Sequence, residues 1–121
     1  MKYVKLVNRR CGTVLGSRVG VADRWRLRLR GLLGRPAPAE GEGLLITPCR
    51  ALHMYGMGFA LDVAFLNRAW AVLALYPGLA PWTRTGWHRA AIYALELPVG
   101  VLGRSGTVEG DTIVCLSEES A

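Results

Sequence analysis

The strongest strand pattern in the chain is Phe59-Ala60-Leu61-Asp62-Val63-Ala64-Phe65-Leu66. Successive side chains of a strand point to opposite faces of a sheet, so this alternation separates Asp62 from Phe59, Leu61, Val63 and Phe65. Apart from Asp62 both faces are apolar, and we therefore expect both to be covered. A tight turn at Asn67-Arg68 and a second apolar stretch over 70–76 predict a returning strand.

Similar patterns along the chain predict a mainly β protein, and 121 residues are about the size of one domain. The predicted strands span residues 2–7, 13–16, 44–47, 50–54, 59–66, 70–76, 91–97, 107–109 and 112–116. A helix is predicted over 22–34, because Asp23 is a suitable N-cap and Gly34 followed by Pro36 is a typical helix stop. Residues 98–106 are predicted to turn, with room for one short helical turn.

The composition is that of an ordinary globular protein, with 51% apolar and 20% charged residues. The net charge is +6, and only Lys2 and Lys5 among the 15 cations are lysines. Abundant arginine also arises from GC-rich coding, so we do not expect a nucleic-acid partner. No apolar run approaches the roughly 18 residues of a membrane span, and the N-terminus does not have a signal-peptide pattern. We expect a cytoplasmic protein, a monomer or weak homodimer, that uses no cofactor.

The cysteines agree with a reducing compartment. Cys11, Cys49 and Cys115 are odd in number and form no Cys-x-x-Cys pair, which is typical of reduced thiols rather than of a disulfide framework. Cys115 lies within an apolar run, so we expect it to pack in the core as a small hydrophobic residue.

Four motifs together resemble the prokaryotic family called domain of unknown function 192. They are Arg30–Arg35 (Arg-Gly-Leu-Leu-Gly-Arg), His53–Leu66, Leu95–Gly100 (Leu-Glu-Leu-Pro-Val-Gly) and Val108–Asp111. Many members carry a signal peptide and read Trp-Met-Lys-Asn-Thr where this chain has His53–Met57, so it resembles a short cytosolic variant. The resemblance implies an antiparallel β-sandwich of jelly-roll type with one early helix. It implies no established activity and no catalytic residue.

Several residues qualify as lining a ligand-binding cleft. An ionised carboxylate among apolar neighbours costs several kcal/mol unless it is paired, so Asp62 and Glu96 each require a partner. That partner is either structural, such as Arg35 or loop N–H groups, or the two carboxylates line a small cleft beside His53 and the Pro81-Trp82 loop. The candidate cleft residues are Arg35, His53, Met57, Asp62, Trp82 and Glu96.

The segment from residue 76 to 89 is long, irregular and rich in proline and glycine, which is typical of a functional loop or of a cover for a sheet edge. Trp82 and Trp87 lie within it. Their indoles either pack over an open end of the fold or offer a stacking surface to a sugar, a base or a partner side chain.

Three functional hypotheses follow. The leading one is a non-enzymatic accessory module in which a cleft between residues 53–58 and 77–88 receives a small polar ligand or a peptide of a partner protein. The second is a small hydrolase or metal-dependent enzyme that uses His53, Asp62 and Glu96, with Cys49 as a possible zinc ligand or nucleophile. The third is binding of an anionic polymer through the arginines of residues 24–35 together with Arg84 and Arg89.

Overall fold

The computed structural model describes residues 1–23 and 36–117. This part of the chain contains seven strands and, between the last two, a five-residue helix, α1 (Val101–Ser105). The strands are β1 (Lys2–Asn8), β2 (Val14–Ala22), β3 (Glu42–Ile46), β4 (Leu61–Leu66), β5 (Val72–Leu79), β6 (Tyr93–Leu97) and β7 (Ile113–Ser117).

All seven strands pair in one sheet of order β5-β4-β6-β3-β2-β1-β7. Neighbouring strands are antiparallel except β2 and β3, which run parallel. The sheet is curled, and its two edge strands approach each other through a bridge between Ala71 and Thr112. The N–H of Ile113 donates to the carbonyl of Trp70 at 2.9 Å beside this bridge. The curl therefore closes at this end, which protects the edges there.

Apolar side chains cover both faces of the sheet. The inner core lies within the curl, draws on all seven strands and is sealed by Val101 and Leu102 of α1. The outer core lies on the opposite face of β3, β4 and β6, where Met54, Met57 and Ala91 from two long loops cover it. Every residue of β4 is buried, as the sequence predicts for residues 61–66.

The mainly β fold with a short helix is confirmed, and its detailed form is a single curled sheet with one parallel pair instead of two antiparallel sheets. The only helix among the described residues, α1, lies where a helical turn was expected. The helix predicted over 22–34 begins at Ala22, which is instead the last residue of β2; residues 24–35 lie outside the described residues.

Two predicted strands are wrong. Over 50–54 only His53 forms a bridge, to Arg84, because this segment hydrogen-bonds to another loop instead of to the sheet. Residues 107–109 enter a turn, in which the carboxylate of Asp111 accepts a hydrogen bond of 2.9 Å from the N–H of Val108. Cys115 is also exposed rather than in the core, because it lies on the edge strand β7.

Residues 1–23 and 36–117 contain no helix that is both long and apolar enough to cross a bilayer.

Candidate ligand-binding cleft

Two loops form an antiparallel ribbon outside the main sheet. Three backbone hydrogen bonds pair them. The N–H of His88 donates to the carbonyl of Arg50 at 2.8 Å, and the N–H of Thr85 donates to the carbonyl of Leu52 at 2.9 Å. In the opposite direction, the N–H of Met54 donates to the carbonyl of Thr83 at 2.7 Å. These bonds join residues 50–54 to residues 83–88. The ribbon therefore has a fixed register, although its residues belong to loops.

Alternation along the ribbon decides which side chains reach solvent. Met54 is fully buried in the outer core, whereas His53 is exposed. His53 and Arg84 are directly opposite each other in the bridge. Directly opposed side chains lie on the same face of such a pair, so the guanidinium of Arg84 extends from the face that carries the imidazole.

Three rings form an aromatic row on this exposed side, namely those of His53, Tyr55 and Trp82. The rings of His53 and Tyr55 stack with centroids 4.7 Å apart and planes 19° apart. Those of Tyr55 and Trp82 are 6.4 Å apart at 26°. The N–H of Tyr55 donates to Nδ1 of His53 at 3.3 Å, and this bond requires an unprotonated Nδ1. The three rings thus present nearly parallel faces.

Trp82 has an unusual backbone for a bulky residue. Its φ is 66°, in the left-handed region, and its side chain is 69% exposed. Its N–H donates to the carbonyl of Met54 at 2.9 Å, and the following residue, Thr83, donates through Oγ1 to Ala80 at 2.6 Å. The conformation costs roughly 1–3 kcal/mol and is maintained by these bonds, although the indole itself gains little burial.

A cleft of about 560 Å³ opens beside the aromatic row. It is lined by Ala51, Leu52, His53, Tyr55, Arg84, Thr85, Gly86 and Trp87. We call this cavity and the row together the aromatic cleft. Its volume falls within the roughly 300–1,000 Å³ of small-molecule sites. Trp87 is 71% exposed at its margin, so neither Trp82 nor Trp87 caps the fold.

The sheet supports the cleft from below. The hydroxyl of Tyr76 in β5 hydrogen-bonds to Nε2 of His88 at 2.7 Å and accepts from the N–H of Gly86 at 3.2 Å. The His88 ring also packs against Phe65 of β4, with centroids 4.5 Å apart. The loop that carries Arg84 and Trp87 is therefore anchored to two strands.

Asp62 lies away from the cleft, on the inner face of the sheet. Its side chain is buried, and Oδ1 accepts a hydrogen bond of 2.8 Å from the N–H of Gly78. Oδ2 accepts from the N–H groups of Gly100 at 3.0 Å and Leu102 at 2.9 Å. The carboxylate thus joins β4 to the end of β5 and to the start of α1, which is the structural alternative of the sequence analysis.

Glu96 lies on the outer face, directly opposite Leu44 of β3 and Val63 of β4. It is 5% exposed, and its Oε1 atom has no hydrogen-bond partner in the described part of the chain. Burial raises the pKa of this carboxyl to about 7. Because Val63 is opposite Glu96, the neighbouring Asp62 points to the other face, and the two carboxylates do not converge.

The remaining candidates are dispersed. Met57 is buried in the outer core, and Arg35 lies outside the described residues. His53 and Trp82 meet in the aromatic row. Within residues 1–23 and 36–117, no three His, Cys, Asp or Glu side chains are close enough to hold a metal ion. The Sγ of Cys49 donates to the carbonyl of Ala51 at 3.2 Å.

Sequence reasoning missed Tyr55, Tyr76 and His88, and it named Arg84 only for the binding of an anionic polymer. Tyr55 is two residues from His53 in a glycine-containing loop, a spacing that could have suggested a shared surface. The contribution of Arg84 depends on pairing between two loops, and no local pattern predicts that pairing.

Residues 7–115 match the family model of domain of unknown function 192, described as "Uncharacterized ACR". The chain belongs to this family. The resemblance inferred from the four motifs is thereby confirmed. A UPF0127 protein of Thermococcus sibiricus is 32% identical to this family member over an alignment of 113 residues, and the match covers 89% of the chain and 72% of the relative.

Two solved structures share the fold of this domain of unknown function 192 chain. A protein of unknown function from Novosphingobium aromaticivorans has a TM-score of 0.78 at 20% identity, covering 93% of this chain and 83% of its own. A Sinorhizobium meliloti protein, described provisionally as a transcription regulator, has a TM-score of 0.77 at 22% identity, covering 94% and 92%. At these identities the likeness concerns the fold alone.

Proposed function

We propose that the protein is a non-enzymatic binding module that takes a small polar ligand in the aromatic cleft. The observation that carries this proposal is Trp82, an exposed indole on a strained left-handed backbone. Strained residues persist only where the surroundings maintain them, and they cluster at ligand sites. Two exposed tryptophans beside a cleft of small-molecule size support the same function.

The geometry gives less support to an enzyme that uses His53, Asp62 and Glu96. His53 lies at the exposed ribbon, Asp62 on the inner face of the sheet and Glu96 on the outer face. General acid–base catalysis requires such groups within hydrogen-bond reach of one reacting atom. Of these three side chains only His53 lines the aromatic cleft.

Our proposal includes a cytoplasmic location and a monomer or weak homodimer. All three cysteines lie in the described part of the chain and no disulfide joins them, which suits a reducing compartment. The arginine-rich segment of the anionic-polymer hypothesis, residues 24–35, lies outside the described residues, and within the described part of the chain only the exposed Arg84 and Arg89 support that hypothesis.

A thermal-shift screen against sugars, nucleotides, amino acids and short peptides tests the proposal. A ligand at about 100 times its dissociation constant should stabilise the protein by roughly 2.7 kcal/mol. Trp82→Ala should reduce the stabilisation to about half, because a tenfold weaker affinity leaves the ligand at about 10 times its dissociation constant, whereas the control Val108→Ala, at another exposed apolar residue, should leave it unchanged. Absence of a shift with every class, or a shift of undiminished size in Trp82→Ala, would contradict the proposal.

A further inference from the structure

Building on the proposed binding function, we infer that the ligand of the aromatic cleft combines a planar ring with an anionic group, as a mononucleotide does. The inference rests on two properties of the same surface, namely its parallel ring faces and its uncompensated positive charge.

The ring faces indicate the planar part of the ligand. The rings of the aromatic row lie within 26° of parallel between neighbours, and Trp82 as a whole residue is mostly exposed. Trp87, also exposed, is among the residues that line the cleft. Stacking of a base on an aromatic side chain contributes about 1–3 kcal/mol and requires such an open face. A flexible aliphatic ligand would gain less from this arrangement.

The charges indicate the anionic part. Residues 47–60 and 80–92, which form the ribbon and its flanks, contain Arg50, Arg84 and Arg89 and no aspartate or glutamate. Arg50 donates through Nε to the carbonyl of Arg89 at 3.0 Å. Arg84 lines the cleft, and no carboxylate among residues 1–23 and 36–117 forms an ion pair with it. Its guanidinium is thus available to a phosphate or carboxylate, which it can bind through two parallel hydrogen bonds.

The position of Arg84 joins the two parts. Because Arg84 is opposite His53 in the bridge, its side chain starts on the face that carries the aromatic row. A ligand whose ring stacks on the row thus has its anionic group near the guanidinium. The cleft volume of about 560 Å³ suits a single nucleotide-sized molecule.

Isothermal titration calorimetry at low salt tests this inference with three probes: adenosine 5′-monophosphate, adenosine and ribose 5-phosphate. We expect the monophosphate to bind at least threefold more tightly than adenosine and about tenfold more tightly than ribose 5-phosphate. Indole-3-acetate serves as a fourth probe, because it distinguishes an aromatic carboxylate from a phosphate as the source of the charge. Tighter binding of either charged aromatic probe supports the shared chemistry and identifies the source.

Three variants separate the contributions. Trp82→Ala should weaken the monophosphate and adenosine alike, by roughly tenfold. Arg84→Gln should weaken the monophosphate about three- to fivefold and leave adenosine unchanged. The matched control Arg68→Gln, at an exposed arginine in the turn at the opposite end of the β4–β5 hairpin, should change neither.

Equal affinities for the monophosphate and adenosine would overturn the anionic part, and equal affinities for the monophosphate and ribose 5-phosphate would overturn the planar part. If no probe binds but another class in the thermal-shift screen binds in a Trp82-dependent way, the inference fails while the proposed function stands. If that screen also finds nothing, both fail.

Discussion

Trp70 and Trp82 share one backbone conformation, with φ values of 65° and 66°, but differ in what their rings contact. The Trp70 ring stacks on Tyr93 with centroids 4.1 Å apart and packs against the inner core. Trp82 is mostly exposed. In the described part of the chain the aromatic ring beside it is that of Tyr55 in the aromatic row. Packing of the ring thus compensates the backbone strain at Trp70, whereas the Trp82 ring has no comparable packing.

Trp82→Gly should therefore stabilise the protein while it weakens ligand binding. Glycine adopts a positive φ without steric cost, and the lost indole was hardly buried. The relieved strain of about 1–2 kcal/mol exceeds the roughly 0.5–1 kcal/mol that glycine costs through the entropy of the unfolded chain, so we expect the free energy of unfolding, measured by urea denaturation, to rise by roughly 0.5–1 kcal/mol.

Trp70→Gly is the matched control, because it relieves the same backbone strain. It also removes a ring that packs on Tyr93 and the inner core, so we expect a net destabilisation of about 2 kcal/mol or more. If both substitutions lowered stability equally, the backbone of Trp82 would not be a functional compromise.

Asp62→Asn should destabilise the protein although it changes few atoms. The carboxylate accepts hydrogen bonds from the main-chain N–H groups of Gly78, Gly100 and Leu102. The amide of asparagine has only one oxygen, so its N–H₂ group would face at least one of these donors. A buried donor without its acceptor costs about 1–3 kcal/mol, and we expect a loss of about 2 kcal/mol in urea denaturation. Glu109→Gln, at an exposed turn residue, should change stability by less than about 0.5 kcal/mol. A neutral Asp62→Asn would show that these bonds contribute little.

Much of the fold was predictable because burial imposes a local period. The alternation at 59–66 correctly separates Asp62 from Val63, and turn residues correctly mark the β4–β5 hairpin. The parallel β2–β3 pair and the bridge from Ala71 to Thr112 were not predictable, because they join distant segments whose local patterns are the same in any partner order.

The candidate site was predictable only in part, for the same reason. His53 and Trp82 are conspicuous in the sequence and do meet through Tyr55. Whether Asp62 and Glu96 share a pocket depends on the β4–β6 register, in which Val63 and not Asp62 is opposite Glu96. A shift by one residue reverses the face of a side chain, and sequence patterns do not determine registers that precisely across distant strands.

Asp111 should make the protein sensitive to acid. Hydrogen bonds from Arg10, from Asn8 and from the N–H of Val108 lower the pKa of its carboxyl well below the ordinary value of 3.8. A lowered folded-state pKa gives stability that is present above about pH 4 and is lost as the pH falls further. The urea concentration at the unfolding midpoint of the wild type should decrease as the pH is lowered below 4. Asp111→Asn should be less stable than the wild type at pH 7, and its midpoint should decrease less below pH 4. Retention of the full drop in Asp111→Asn would assign it to other groups.

Glu96 should act in the opposite direction. Burial raises its folded-state pKa from 4.5 to about 7, so the folded protein holds this proton more tightly than the unfolded chain does. Stability is then highest below about pH 4.5 as far as this group is concerned, falls as the pH rises to about 7, and is constant above. The size of the fall is about 3 kcal/mol, since one pKa unit corresponds to about 1.4 kcal/mol.

Glu96→Gln should remove this dependence, because its amide is neutral at every pH and resembles the protonated carboxyl in shape. We expect the variant to match the wild type near pH 4.5 and to exceed it by about 2–3 kcal/mol at pH 8, in urea denaturation at constant ionic strength. Glu109→Gln, whose side chain is exposed, should leave the pH profile of the wild type in place. If the stability of the wild type does not fall between pH 5 and pH 8, the Glu96 carboxylate is paired in the folded protein under the conditions of the measurement. Ionisation then lacks the free-energy cost of an unpaired buried charge.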